Sequence, residues 1–408
     1  MSLKKDYFAK PFENFWLLNT DSSSLIRKHS PTLPARHHVY KPNNKVRGNK
    51  PVDIGYEFST IGLSARRPLY NIREAPWNLP LSMRLIPFEA NRNSFTARQV
   101  NELLDNKGLP FHGELTVNAL DSNYSSPEYI ADTHSRENLV NIIRLASNRN
   151  VWEQLTPQQQ QQRRENNTDN RGTDAVYGTQ YKLSEVKQWD RSADKKVRFG
   201  VLLANGKQCI AQIDLWENML LRTKRGKNMK DKAFDLVSIQ LLDAKDNTPI
   251  FKRRIWLGVW GPRRKEIRLE EIYWAYRNRY DIEHFFRFGK QRLLLDKLQS
   301  PDEEHLQNWF EVVSLAYWLL WVAKDEARSE ICKWQQYDPN YKKRANFGLA
   351  ASPSQVQQQT EVIILSFEQT PFFPKVQKKG KGRQTGQTQP KRKRYKVLYK
   401  KKKVKNKK

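Results

Sequence analysis

The chain of 408 residues carries 73 Lys and Arg against 43 Asp and Glu, a net charge of +30, so a polyanion is the expected partner, nucleic acid first and an anionic membrane surface second. Its 12 Trp, 16 Tyr and 18 Phe exclude a wholly disordered chain, and two cysteines, Cys209 and Cys332, exclude a disulfide scaffold and read as inert thiols in a reducing cytosol. The longest apolar run, Val312 to Ala323, has 12 residues where a membrane span needs about 20, so a buried helix is expected there; no signal peptide is visible at the N-terminus.

Taken in chain order, Phe15–Asn19 is a short apolar strand leading into Asp21. Val52–Leu63 alternates and predicts a strand, and Ser82–Pro87 predicts another. Asn93–Asn106 predicts a helix capped by Ser94, with Val100, Leu103 and Leu104 as its apolar stripe. Leu115–Leu120 predicts a strand that runs straight into Asp121, and Leu139–Leu145 a further strand. The Gln-rich stretch from Thr156 to Thr173 has little to pack and reads as an exposed linker.

Strands are then expected at Val197–Leu203, Gln208–Leu215, Ala233–Leu242 and Ile250–Val259, with turns at Asn205-Gly206 and Lys245-Asp246-Asn247. Trp189 and Trp216 in this region read as core. The period then changes to that of helices, one long helix at Glu270–Lys297 and another at Glu303–Arg328. From Tyr337 to Pro374 the chain reads as mostly irregular, with a strand expected at Val362–Phe367 (VIILSF). Lys375–Lys408 holds 17 Lys and Arg and no acidic residue, and is expected to be disordered until it meets a polyanion such as DNA.

The sharpest signal lies in the long helix. Tyr276, Arg279, Glu283 and Lys290 fall within about 60° of arc at 100° per residue, which puts one carboxylate among a phenol, a guanidinium and an ammonium. Ordinary pairing on a solvated helix face would use the same Arg279–Glu283 spacing. The sequence YRNRYDIEHFFRFGKQRLLLD from Tyr276 to Asp296 decides between them. It closely resembles the Y-x2-R-x3-E-x6-K signature of DDE transposases of the cut-and-paste insertion-sequence class, within the retroviral-integrase/RNase H-like superfamily. The surrounding IYWAYRNRYDIEHFFRFGKQRL and the Trp-rich helix after Pro-Asp-Glu-Glu-His resemble that family as well.

The resemblance implies an α/β fold, an RNase H-like mixed sheet flanked by helices, with a β-rich insertion before the last catalytic helix and a disordered basic C-terminal tail. The divisions are an N-terminal extension over 1–12, a first part of the core over 13–150, the insertion over 151–267, a second part of the core over 268–330, and an irregular, basic end over 331–408. It implies three catalytic and metal-binding carboxylates, Asp21, Asp121 and Glu283, with Asp53 the rival of Asp21. Tyr276, Arg279 and Lys290 would contact DNA phosphates, and Arg144, Asn148 and Arg149 could touch the DNA backbone. Two Mg²⁺ or Mn²⁺ ions about 3.5–4 Å apart would activate the nucleophile and stabilise the leaving oxygen. Double-stranded DNA (element ends and target), a homodimer on paired ends, no membrane and a cytoplasmic, nucleoid-associated location complete the implied setting.

The chain departs from the family in having only 20 residues before Asp21, where a helical end-recognition region is expected. The alternative function is therefore a catalytically inactive, truncated remnant that binds DNA through its basic residues.

Overall fold

Apolar runs without a polar break make strands buried on both faces, and polar runs are left for edges and caps. The structure is a computed structural model describing residues 12–41, 51–65, 75–166, 176–203, 207–223, 227–300, 302–325, 327, 351–366, 382, 386, 388 and 391–399. The strands are β1 (Trp16–Ile26), β2 (His37–Tyr40), β3 (Val52–Ser64), β4 (Asn78–Ile86), β5 (Thr116–Leu120), β6 (Leu139–Leu145), β7 (Asn150–Gln154), β8 (Tyr177–Lys182), β9 (Lys195–Leu202), β10 (Gln208–Leu220), β11 (Phe234–Asp243) and β12 (Ile255–Trp260). The helices are α1 (Arg92–Asp105), α2 (Pro127–Thr133), α3 (Pro157–Glu165), α4 (Leu269–Asn278), α5 (Asp281–Gln291), α6 (Glu303–Val322) and α7 (Pro353–Ser366). The chain forms two units, one of residues 1–22, 59–82 and 89–287, the other of residues 23–58, 83–88 and 288–408.

In the first unit the sheet order runs β1-β5-β6-β12-β11-β10-β7-β8, with β9 also on β10. β1, β5 and β6 are parallel, while β12 joins β6 antiparallel. The sheet is therefore mixed. Alternate residues feed two cores. Val117, Val140, Ile142, Leu257 and Val259 pack with Ile272 and Ala275 of α4 on one face. Leu120, Ile143, Leu145 and Trp256 pack with Ala97 of α1 and Ile130 of α2 on the other. An open α/β sheet covered by helices results.

Buried polar side chains pin the register of the parallel strands. Thr20 Oγ1 donates to Asn118 Oδ1 (2.8 Å), Asn118 Nδ2 donates to the Tyr129 hydroxyl (2.9 Å), and that hydroxyl donates to Asn141 Oδ1 (3.1 Å). Asn141 Nδ2 closes the chain on Thr133 Oγ1 (3.1 Å). Tyr129→Phe strands one donor and one acceptor in the core, so a loss of about 2–3 kcal/mol is expected in urea unfolding. A loss under about 0.5 kcal/mol would show that the network does not hold the strands.

In the second unit β2 pairs antiparallel with the start of β3, Val39 opposite Asp53. Phe58 packs on Phe310 of α6 at 5.1 Å between ring centres.

Several expectations need correction. β1 does not stop before Asp21 but continues to Ile26. Asn91, not Ser94, caps α1, its Oδ1 accepting from Asn93 N and Ser94 N. The strands β2, β7 and β8 were not foreseen. The described part of the Gln-rich stretch, residues 156–166, is exposed apart from half-buried Gln160, but it forms helix α3, because Thr156 and Gln159 form a reciprocal capping box and Pro157 opens the first turn; residues 167–173 lie outside the described residues.

The expected long helix breaks between Asn278 and Asp281. There the amides of Arg279 and Tyr280 bond back only three residues, to Tyr276 O (3.2 Å) and Arg277 O (3.4 Å). The buried Asn19 Nδ2 takes the Asn278 carbonyl (3.2 Å) out of the helical ladder. The VIILSF run is the end of helix α7 up to Ser366, started by a Ser352–Gln355 capping box (2.8 and 3.4 Å).

Helix α6 is buried on one side only. Leu306, Phe310, Val313, Tyr317 and Leu320 face the core, while Val312, Leu315, Leu319 and Val322 stay 52–57% exposed. Within the basic tail, residues 391–399 carry two main-chain bonds, from Tyr395 N to Pro31 O and from Leu398 N to Arg36 O. Residues 1–11, Asn205-Gly206, Cys332 and the rest of the tail lie outside the described residues. Cys209 is a buried free thiol. Trp216 is buried and Trp189 half-buried, their rings 5.1 Å apart. Among the described residues no helix is long and apolar enough to cross a membrane.

Candidate active site

The parallel register brings two aspartates side by side. Thr20 of β1 is paired with Leu120 of β5, so Asp21 and Asp121 are the next residues on adjoining strands. Neighbouring strands lie about 4.8 Å apart. Leu120 is in turn paired with Ile143 of β6, which makes Arg144 the third member of the row. The row lies where β5 ends, the edge of an open α/β sheet at which ligands bind.

Helices α4 and α5 bring the remaining groups. Arg279, in the break between them, donates from Nη2 to Glu283 Oε1 (2.9 Å) and from Nη1 to Asp21 Oδ2 (3.5 Å). Its side chain is 11% exposed, against 19% for Asp21 and 38% for Glu283. The guanidinium thus ties β1 to α5. Had α4 and α5 been one straight helix, Arg279 and Glu283 would share a face as expected; the break at Asn278 keeps them bonded and re-aims both toward β1.

The electrostatics show the crowding. Burial pushes the Asp21 carboxyl up to about 6; the Arg279 guanidinium and the Ser22 amide oppose this, and Asp121 and Glu283 add to it. Burial also raises the Tyr276 hydroxyl, with Arg279 and Arg144 opposing and Asp121 adding. For Arg279 burial disfavours the charge, but Tyr276, Asp21, Glu283 and Asp121 outweigh it and its pKa is raised. Asp21, Asp121, Glu283, Tyr276, Arg279 and Arg144 therefore act on one another in a single cluster.

Asp121 itself caps no helix; its Oδ1 accepts from the Ser122 hydroxyl and its Oδ2 from Asn123 Nδ2, both at 3.3 Å. Arg149 is used differently, donating from Nη2 to Ser125 O (3.1 Å) and Ser125 Oγ (3.0 Å) and so bracing the turn after Asp121. Lys290 belongs to the second unit, where Nζ donates to Ser23 Oγ (2.7 Å) and Ser24 O (3.1 Å) and burial lowers its pKa. Asp53, also in the second unit, is held by Lys41 Nζ at 3.0 Å.

Residues 36–319 match the family of the transposase DDE domain. That is more than two thirds of the chain. The chain belongs to this transposase family. The match includes Asp121, Tyr276, Arg279, Glu283 and Lys290 and begins after Asp21. No curated protein matches the sequence.

The carboxylate oxygens of this transposase are the hard donors that Mg²⁺ or Mn²⁺ takes. Arg279 bonds to two of them, Asp21 and Glu283, and compensates their charge. Among the described residues no three ligating side chains are close enough to enclose an ion by themselves. The residues fit a metal in chemistry, with Arg279 standing where charge compensation is needed.

Asn19 was missed in the sequence reading, although a polar residue inside the apolar run FWLLN is itself a signal of a specific buried partner. Its Nδ2 also donates to Asn78 Oδ1 (2.9 Å).

Proposed function

We propose that this transposase cleaves DNA strands in a metal-dependent reaction and joins the 3′-hydroxyl ends to target DNA for an insertion sequence. What supports the reading is that Asp21 and Asp121 each follow a paired residue of two parallel strands and that Arg279 bonds to Asp21 and to Glu283. The mixed sheet supports an RNase H-like core over 13–150 and 268–330, with 151–267 as the β-rich insertion. The family generally uses divalent metal. Asp21, Asp121 and Glu283 would hold two ions, Mg²⁺ or Mn²⁺, which supply a polarised phosphate and an activated nucleophile when bound.

The chain's own groups do the rest. Arg279 holds Asp21 and Glu283 in place as a fork and can turn a donor to a phosphate oxygen. Tyr276 and Arg144 border the same row and orient the strand to be cut. Arg149 joins the DNA-binding set by fixing the turn after Asp121; Lys290, in the second unit, is assigned a DNA-phosphate contact by the family resemblance of its motif. The partners are element ends and target DNA, engaged by a homodimer in a cytoplasmic, nucleoid-associated setting.

The test is nicking of supercoiled plasmid with Mg²⁺, Mn²⁺ or EDTA, on wild type beside Asp121→Asn and Glu283→Gln. Nicking is expected only with metal and only in wild type. Nicking that persists in EDTA, or in both variants, would refute the carboxylate site.

A further inference from the structure

We propose that Lys391–Tyr399 is an anchored basic segment that grips the phosphate backbone of duplex DNA independently of sequence. The proposal rests on the reading of the chain as a protein that acts on DNA.

The segment is anchored through its main chain. Tyr395 N donates to Pro31 O (2.8 Å) and Leu398 N to Arg36 O (2.7 Å), with Leu398 bridged in parallel to His37 of β2. β2 has β3 on its other side, so the segment covers what would otherwise be a bare sheet edge. A buried charge strengthens the anchor. Arg36, 4% exposed, gives its donors to carbonyls, namely Leu33 O (3.3 Å), Arg27 O (3.1 Å), Lys28 O (3.3 Å) and Tyr395 O (3.3 Å). Releasing the segment would strip one of those acceptors from a buried guanidinium, which disfavours release. Tyr399 adds a ring contact to His38 at 5.0 Å.

The basic side chains are open to solvent. Lys391, Arg392, Lys393, Arg394 and Lys396 are all exposed, and residues 391–399 contain no carboxylate. Among the described residues none of the five makes an ion pair; Lys393 only lies over the Tyr395 ring at 5.1 Å. Five cations fall within six consecutive residues, Lys391 to Lys396, a charge density that can meet several phosphates at once. An anionic membrane would call for a broad apolar surface beside the charges; the segment offers three separate exposed apolar side chains, Tyr395, Leu398 and Tyr399, of which Tyr395 and Leu398 are only just exposed.

The experiment is anisotropy of a labelled random-sequence duplex in EDTA over a salt series, on the full chain. One variant replaces Lys391, Arg392, Lys393, Arg394 and Lys396 by Gln. A second, Tyr395→Pro, keeps every charge and removes the amide that bonds to Pro31. The five-Gln variant is expected to flatten the slope of log K against log salt by about 4. Tyr395→Pro is expected to weaken binding about tenfold at about 0.1 M salt, because the cations must then be ordered on binding.

An unchanged slope in the five-Gln variant would overturn the proposal. So would a Tyr395→Pro protein that binds like wild type, since the charges would then act as a free tail. Retention on vesicles of anionic lipid in preference to DNA, lost in the five-Gln variant, would also overturn it. Failure of the catalytic reading is separate, because it shows as absent metal-dependent nicking with the salt slope of wild type intact.

Discussion

Asp21→Asn is expected to remove metal-dependent cleavage, by about a thousandfold or more, and at the same time to stabilise the metal-free protein. Both effects follow from one side chain. Asp21 is the aspartate in the row with Asp121, bonded to Arg279, and its carboxyl is pushed up to about 6 by burial. A carboxyl whose folded pKa lies above its unfolded value binds its proton more tightly in the fold. Folding is therefore unpenalised below about pH 4, loses stability as pH rises toward 6, and carries the whole penalty above that. The shift of about two pH units corresponds to roughly 2–3 kcal/mol. In EDTA the Asn variant should match wild type near pH 4 and exceed it by that amount at pH 7.5, in urea or thermal unfolding. Asp53→Asn is the control, and should leave cleavage unchanged while removing only the pair with Lys41. If Asp53→Asn abolished cleavage and Asp21→Asn did not, the assignment of the first aspartate would be reversed.

Gly261→Ala is expected to destabilise the first unit by about 3 kcal/mol, a fall of roughly 6–12 °C in melting temperature. Gly261 has φ +131°, a conformation that L side chains rarely adopt, and a Cβ there would lie 2.3 Å from Leu139 O and 3.1 Å from Val140 Cα. Both contacts are main chain of β6, so no side chain can swing aside. Gly261 also follows Trp260, which is paired with Asn141. Strain at this point displaces the strand that carries Arg144. Gly200→Ala, where nothing lies within 4 Å of the added carbon, should change stability by under about 0.5 kcal/mol.

Much of the candidate site was readable because it is local. The four residues Tyr276, Arg279, Glu283 and Lys290 sit in one short stretch, and Asp121 follows an apolar run whose end marks a strand end. The helix break was not legible in that stretch. Its cause, Asn19, is 259 residues away from Asn278 and acts through a carbonyl that any residue would offer. Asp21 was found as the residue after an apolar run, but the strand continues through Ser22, Ser23 and Ser24, which composition alone assigns to a turn. What ends at Asp21 is the pairing with β5, a property of two strands together. The edges were misread for a related reason. β7, β8 and α3 are polar segments whose caps and partners hold them, and Lys391–Tyr399 is placed by main-chain bonds to Pro31 and Arg36 that charge counting does not reveal.

The order of pairing in the first unit also sets a clock. Asp21, Asp121 and Glu283 are spread over most of the chain, and β5 must enter between β1 and β6 before the first two meet. At about 5–20 residues per second, a ribosome takes on the order of ten seconds or more to pass from the first of these codons to the last. Until α5 has emerged, the two aspartates lack Glu283 and the Arg279 fork that bonds Asp21 to it. A chain interrupted before that point lacks both Arg279 and Glu283, so under the proposed reading its cutting site would be incomplete and a partial synthesis product would leave DNA intact.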